Sequence, residues 1–235
     1  MPRLLQALSL VVCLGPAASA RGVGDRPVAD WPDNFVSRLA ALALLETLNA
    51  DLLSHDSATL TLDRWCETHR LATPPRIVAD LSRGAQKAPT AEQLRLLAVS
   101  EAGELRYRRV QLRCGGHVLS EADNWYVAAR LTPGMNQQLD TTDIAFGRAI
   151  QALRFHRRTL SARLLWQPLP QGWEMDAARP DQTSNTLRIP PFVLEHRAVL
   201  SLADGTPVSE VVETYTGAVL AFPAPNQNGD ANARR

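Results

Sequence analysis

The sequence predicts a single α+β domain built on one antiparallel β-sheet with flanking helices. Strand-like segments come mostly in neighbouring pairs joined by short turns, and helical spacing is confined to the start and the middle of the chain. A doubly wound parallel sheet would instead need strands that alternate regularly with helices. With 45% hydrophobic residues in a chain of 235, there is enough apolar material for one core.

Each element follows from its local spacing. Apolar residues recur at three- and four-residue steps over 34–53, which predicts a helix that Asp33 or Asn34 can cap. The other predicted elements are a short helix over 61–69, strands over 77–81, 94–99, 104–114 and 119–131, a mostly helical segment over 136–153 with a cap at 141–143, and strands over 157–166, 193–202 and 208–222. Gly115-Gly116 and Asp204-Gly205 supply the turns of two hairpins.

Residues 1–20 have the pattern of a secretory signal peptide. Arg3 supplies a positive charge, an apolar stretch too short to span a bilayer follows, and Ala18-Ser19-Ala20 is a small-residue cleavage site. The alternatives are a mis-assigned start and a buried N-terminal helix. We therefore expect a periplasmic or secreted protein with a flexible lead-in over 21–33, a folded domain over 34–222, and a disordered tail over 223–235.

The charge balance offers no broad surface for nucleic acid or for membrane. Lys and Arg number 25 and Asp and Glu 24, and no later segment is long and apolar enough to insert into a bilayer. The five histidines are scattered and there is no Gly-rich phosphate loop, so no metal and no cofactor is expected. Cys66 and Cys114 can form one disulfide or remain two buried thiols.

Glu213 is the most informative residue of the chain. Strand alternation places it on the same face as Val211 and Tyr215, and Glu210 on the other face. A carboxylate on an apolar face is costly unless a partner satisfies it, so Glu213 faces solvent, pairs with a base, or lines a site.

The strand over 104–114 carries the basic residues that could serve as that partner. Alternation puts Arg108 with the apolar residues Val110 and Leu112, and Arg109 on the wetter face. An inward guanidinium can hold a carboxylate, whereas the alternative is that all these arginines are solvated at the sheet surface.

Several short motifs, in the same order along the chain, resemble those of the chorismate lyase (chorismate pyruvate-lyase) family. The matches are Leu52-Leu53-Ser54-His55-Asp56-Ser57-Ala58-Thr59-Leu60, Arg108-Arg109-Val110-Gln111-Leu112, Ile144-Ala145-Phe146-Gly147-Arg148, and Asp204-Gly205-Thr206-Pro207 ahead of Val212-Glu213. The resemblance covers about residues 35 to 222. It implies a single α+β domain that encloses a ligand pocket, and a cofactor-free conversion of chorismate to 4-hydroxybenzoate and pyruvate. We also expect a monomer.

The resemblance also assigns roles to individual residues. Glu213 takes the place of the acidic group at the ring, Arg108 that of the carboxylate clamp with Arg109 as the fallback, and Ala58 and Phe146 contribute backbone contacts. Three departures accompany these matches. The residue at the position of the family's second pocket arginine is Asn124. One extra residue lies between Gly205 and Glu213, so either a bulge accommodates it or Glu210 takes the place of Glu213. The family acts in the cytosol, where chorismate is made.

Three functions follow from these observations. The first is a chorismate lyase-like enzyme with Glu213 and Arg108 as the polar centre of the pocket. The second is an exported binding protein of the same fold that holds a small aromatic or cyclic carboxylate without turnover. The third is an envelope protein whose pocket is vestigial. Asn124 and the signal peptide favour the second, and the matching Glu and Arg positions favour the first.

Overall fold

A computed structural model describes residues 31–175 and 185–225. The predicted signal peptide, most of the predicted lead-in and most of the tail lie outside these residues. The helices are α1 Phe35–Ser54, α2 Ala58–Thr68, α3 Ala91–Leu96, α4 Pro133–Thr141 and α5 Phe146–Ala149. The strands are β1 Ile77–Leu81, β2 Leu105–Cys114, β3 His117–Val127, β4 His156–Leu164, β5 Phe192–Ser201 and β6 Pro207–Thr216.

The six strands form one sheet in the order β1-β2-β3-β6-β5-β4, and every neighbouring pair is antiparallel. The hairpins β2–β3 and β5–β6 meet at the centre, where β3 pairs with β6. This confirms the predicted α+β class with an antiparallel sheet and flanking helices. Within the described ranges, no helix is long and apolar enough to cross a membrane.

Helices α1 and α2 cover one face of the sheet and form the main core with it. Leu45, Leu48 and Leu52 of α1 are fully buried, and their three- and four-residue spacing is the one that predicted this helix. The helix begins where the Asn34 side chain accepts a hydrogen bond of 2.8 Å from the backbone N–H of Ser37. Trp31 is also fully buried, and its indole N–H donates to the carbonyl of Phe222, so the packed domain includes residue 31.

Helix α2 is attached to the sheet at its C-terminal end. Cys66 of α2 and Cys114 of β2 form a disulfide with their Cα atoms 6.2 Å apart. The indole of Trp65 donates a 2.8 Å hydrogen bond to the carbonyl of Val219. These contacts fix the helix so that its N-terminal end lies over the middle of the sheet, where Ala58 and Thr59 line a cavity.

Two predicted elements differ from the structure in kind or continuity, and the strands predicted over 119–131 and 208–222 end earlier, at Val127 and Thr216. The strand predicted over 94–99 is wrong, since α3 occupies its first half and no strand occupies the rest; the helix begins with a reciprocal capping box between Thr90 and Gln93. A short apolar run does not distinguish a strand from a helix by periodicity alone. The helix predicted over 136–153 is broken into α4 and α5, because Thr142 leaves the helix in an extended conformation and its hydroxyl accepts from the N–H of Ile144.

A bulge near the start of β6 absorbs the extra residue between Gly205 and Glu213. Leu200 of β5 pairs with Ser209, but the next residue of β5, Ser201, pairs with Pro207, so one residue of β6 has no counterpart. As a result Glu213 points to the face covered by α1 and α2, and Glu210 points to the opposite face, where it pairs with Arg197.

Candidate ligand-binding site

A cavity lies between the sheet and the N-terminal ends of α2 and α5. Its cavity volume is about 40 Å³, below the range of roughly 300–1,000 Å³ typical of small-ligand pockets. The lining residues are Asp56, Ser57, Ala58, Thr59, Arg108, Val110, Leu112, Ala122, Asn124, Phe146, Gly147, Phe155, Arg157, Leu200, Val211 and Glu213. Nine of these sixteen residues are apolar or glycine, and seven are polar or charged.

The structure brings five of the six sequence-predicted site residues together in this cavity. They are Glu213, Arg108, Ala58, Phe146 and Asn124. Arg109 lies outside, on the opposite face of the sheet, where it donates to Glu121 at 2.9 Å and to Asp123 at 3.2 Å. Neighbouring residues of a strand point to opposite faces, so only one of the two arginines can enter the cavity.

Arg108 is a buried cation. The residue is 5% exposed, and one of its terminal nitrogens donates a 2.8 Å hydrogen bond to the carbonyl of Ile144. Among the described residues its Nε–H has no hydrogen-bond partner and no carboxylate forms an ion pair with it. Burial lowers the pKa of this guanidinium below its ordinary value, since desolvation disfavours the charged form.

Sequence reasoning missed Arg157, the second guanidinium of the cavity. It lies on the edge strand β4 and reaches across β5 to Glu213 on β6, where the nitrogen and carboxylate oxygen are 2.6 Å apart. The two side chains are only 3% and 7% exposed. Burial alone would lower the pKa of Arg157, but the charge of Glu213 and its hydrogen bond raise it above the ordinary value.

The same oxygen of Glu213 accepts a second hydrogen bond, from the hydroxyl of the fully buried Tyr215 at 3.1 Å. Burial and the adjacent carboxylate raise the pKa of that hydroxyl well above its ordinary value, so it stays a donor. Both bonds go to Oε2, and within the described ranges Oε1 of Glu213 has no hydrogen-bond partner. Glu213 is thus held in place and keeps one oxygen for a ligand.

Asn124 takes the place at which the chorismate lyase resemblance expects an arginine. Its side-chain oxygen accepts a hydrogen bond from the hydroxyl of Ser209 on the neighbouring strand. Its amide nitrogen is buried and has no partner in the described part of the chain. Asn124 therefore adds a neutral donor to the cavity wall, and the second positive charge comes from Arg157 instead.

The N-terminal ends of α2 and α5 approach each other closely at the rim. Ser57 caps α2, and a Cβ atom added at Gly147 of α5 would lie 3.0 Å from the Ser57 hydroxyl oxygen and 3.2 Å from that of Thr59. Arg148 of α5 forms a 2.6 Å ion pair with Asp63 of α2, which also accepts from the backbone N–H of Ile77. A side chain at position 147 would therefore require Ser57 and Thr59 to shift by a few tenths of an ångström.

A more open groove adjoins the cavity. It shares Asp56, Ser57 and Phe155 with the inner cavity and adds His55, Leu60, Arg64, Gln151 and Arg154. Asp56 accepts a 2.8 Å hydrogen bond from the backbone N–H of Arg157, and its side chain is 52% exposed. The groove thus lies at the mouth of the buried site.

His196 lies behind Glu213, on the neighbouring strand. It is fully buried, and its Nε2 is 2.8 Å from the side-chain oxygen of Asn49 on α1. Burial lowers its pKa to about 4, so the ring is neutral at physiological pH. Across residues 31–175 and 185–225, no group of three or more His, Cys, Asp or Glu side chains is arranged to hold a metal ion.

Comparisons with known proteins identify one close relative in sequence. The uncharacterized protein y4mC of Sinorhizobium fredii is 58% identical over 196 residues, which are 83% of each chain. No family model matches the chain.

Solved structures resemble the chain more distantly. PhnF from Mycobacterium smegmatis has a TM-score of 0.46 at 15% identity, over 75% of this chain and 70% of that one. YydK from Bacillus subtilis has a TM-score of 0.37 at 13% identity over 64% of this chain, which spans 61% of the length of YydK.

Proposed function

The chain belongs to the same family as the uncharacterized protein y4mC, and from the cavity within this fold we propose that the protein binds a small aromatic or other cyclic carboxylate. The observation that carries the proposal is Arg108, a buried guanidinium without a carboxylate partner among the described residues. A buried charge without a counterion costs several kcal/mol, which an anionic ligand would offset.

The remaining donors support a carboxylate at this end of the cavity. Arg108 uses one terminal nitrogen on the carbonyl of Ile144 and keeps its Nε–H for a ligand oxygen. Hydrogen bonds between ionised partners are stronger than neutral ones, so this donor orients a ligand as well as binding it. The α2 backbone at Ala58 lies beside the same space.

The walls and the far end of the cavity support a ring with a hydroxyl. Val110, Leu112, Phe146 and Val211 supply apolar surface for the faces of a ring. Glu213 lies two strands away from Arg108 in the sheet, and its Oε1 is an acceptor without a partner in the described part of the chain. A ligand with a carboxylate at one end and a hydroxyl at the other, such as 4-hydroxybenzoate, satisfies both polar groups.

A second candidate is a chorismate pyruvate-lyase, and the free oxygen of Glu213 is the observation that favours it. In that reaction the ether C–O bond breaks, the enolpyruvyl group takes up a proton and leaves as pyruvate, and the ring loses a proton and becomes aromatic. A carboxylate oxygen held at the ring can accept that proton. The binding proposal does not depend on this step.

Titration calorimetry of residues 21–235 with 4-hydroxybenzoate tests the binding proposal. We expect saturable binding that Arg108→Ala abolishes and that the neighbouring Arg109→Ala leaves unchanged, since Arg109 lies on the opposite face. Equal loss in both variants, or no binding by the wild type, would reject the site. Incubation with chorismate, followed by chromatography, separates the candidates, because binding without product leaves a binding protein.

We also propose that the protein is exported, with residues 1–20 as its signal peptide. The disulfide between Cys66 and Cys114 supports this, since disulfides persist mainly in oxidising compartments. Cell fractionation with N-terminal sequencing of the mature protein tests it. A cytosolic protein that retains Met1-Pro2-Arg3 would contradict the proposal.

A further inference from the structure

We infer that Arg157 determines the ligand charge that the cavity accepts: it neutralises Glu213, so that the buried site holds one unmatched positive charge and selects a monocarboxylate over a dicarboxylate. The inference rests on the proposed function, because it concerns the ligand of the same cavity. It assigns a specificity-determining role to a residue of the edge strand β4.

The charges of the buried groups carry the argument. Arg108 and Arg157 are both buried guanidiniums, and Glu213, on the central strand β6, is the buried carboxylate that Arg157 contacts. The 2.6 Å contact pairs Arg157 with Glu213. No carboxylate of the described residues forms an ion pair with Arg108, on which the charge of Asp140 acts only at longer range. His196 behind them is neutral, so it adds no further positive charge.

The geometry also opposes a second ligand carboxylate. Arg108 and Glu213 both line the cavity, from strands that are two apart in the sheet. A ring whose first carboxylate binds Arg108 can therefore place its opposite substituent near Glu213, where a hydroxyl can donate and a carboxylate would meet a like charge. Asp56 at the mouth is a further acidic group close to Arg157. Its half-exposed side chain is negatively charged, like a second ligand carboxylate. The described part of the site therefore has no second guanidinium that is free to bind the other carboxylate of a dicarboxylate.

Terephthalate and 4-hydroxybenzoate form a matched pair of probes, because they differ only in the group opposite the first carboxylate. We expect the wild-type protein to bind 4-hydroxybenzoate at least about tenfold more tightly than terephthalate, since one like-charge contact in a partly buried site is worth that much or more. Equal affinities would overturn the inference while leaving the proposed function intact, and failure of both to bind would reject the proposed function itself.

Glu213→Gln provides the sharper test, because it keeps the shape of the side chain and frees Arg157. The cavity then holds two unmatched guanidiniums, and the ratio of terephthalate to 4-hydroxybenzoate affinity is expected to rise by about tenfold to a hundredfold. In the double variant Arg157→Gln/Glu213→Gln the second charge is gone again, so the gain is expected to disappear.

The double variant also avoids the unpaired buried Glu213 that Arg157→Gln alone would leave. Thermal unfolding establishes that each variant is folded before affinities are compared. A folded Glu213→Gln protein with an unchanged affinity ratio would overturn the inference, and so would a double variant that keeps the preference for terephthalate.

Discussion

Replacing Arg108 with methionine is expected to stabilise the unliganded protein and to remove ligand binding at the same time. Methionine keeps most of the length and apolar contacts of the arginine stem but carries no charge to desolvate. Replacement of buried charges by apolar groups of similar volume often stabilises a protein by about 1–4 kcal/mol. The opposing effect is the lost 2.8 Å hydrogen bond to Ile144, which costs about 1–3 kcal/mol when the carbonyl is left without a partner.

The midpoints of these two ranges differ by about 0.5 kcal/mol in favour of the methionine variant. For a domain of this size, that gain in the free energy of unfolding corresponds to a rise in Tm of about 1–2 °C. Thermal unfolding is measured with and without 4-hydroxybenzoate. Ligand at a hundredfold excess over its Kd stabilises the wild type by about 2.7 kcal/mol and leaves the methionine variant unchanged, so the order of the two Tm values reverses.

Arg109→Met is the matched control, because it removes a neighbouring arginine from the exposed face. Its contacts with Glu121 and Asp123 involve a side chain that is 44% exposed, and surface pairs of this kind contribute about 0–1 kcal/mol. An unliganded Arg108→Met protein that is destabilised by more than about 1 kcal/mol would refute the reasoning. Arg108 would then have a structural role in the fold rather than a role in ligand binding.

Three further predictions concern the surroundings of the cavity. His196 has a pKa of about 4 in the folded protein, against 6.5 for an unperturbed histidine. Between these pH values the unfolded chain binds more protons than the folded one. The contribution of neutral His196 to the free energy of unfolding is therefore present above pH 6.5, and about 3 kcal/mol of it is lost as the pH drops to 4. Urea unfolding across this range should show a weaker pH dependence in His196→Asn, and an unchanged slope would contradict the assignment. The disulfide joins two residues that are 48 positions apart in the chain. Its removal in Cys66→Ala/Cys114→Ala is expected to lower the free energy of unfolding by about 4 kcal/mol, and a fall in Tm of less than about 3 °C would contradict this. Gly147→Ala places a Cβ atom against Ser57 and Thr59 and should weaken the binding of 4-hydroxybenzoate. Gly103→Ala is the control, because a Cβ atom at that position has no other atom within 4 Å. Equal affinities in the two variants would show that the rim of the cavity tolerates the added methyl group.

The antiparallel sheet and its two hairpins could be predicted because their signals are local. The Gly115-Gly116 turn and the alternation of β2 and β6 are properties of a few neighbouring residues. The predicted strand over 94–99 was wrong because so short a run fits both the helical and the strand periodicity. The capping box between Thr90 and Gln93 favours the helix that the structure shows.

The sequence by itself determined that Arg108 and Glu213 share a face with apolar neighbours, because side chains of a strand alternate with a period of two. It also determined that Arg109 and Glu210 point the other way, once the bulge in β6 is allowed for. Only the tertiary structure decided that Arg157 completes the site. Nothing local distinguishes it from Arg158 and Arg163 on the same edge strand, and its partner lies two strands away, about 10 Å in a sheet of ordinary spacing. Which distant carboxylate a long side chain reaches depends on strand order and register, and these are properties of the assembled sheet.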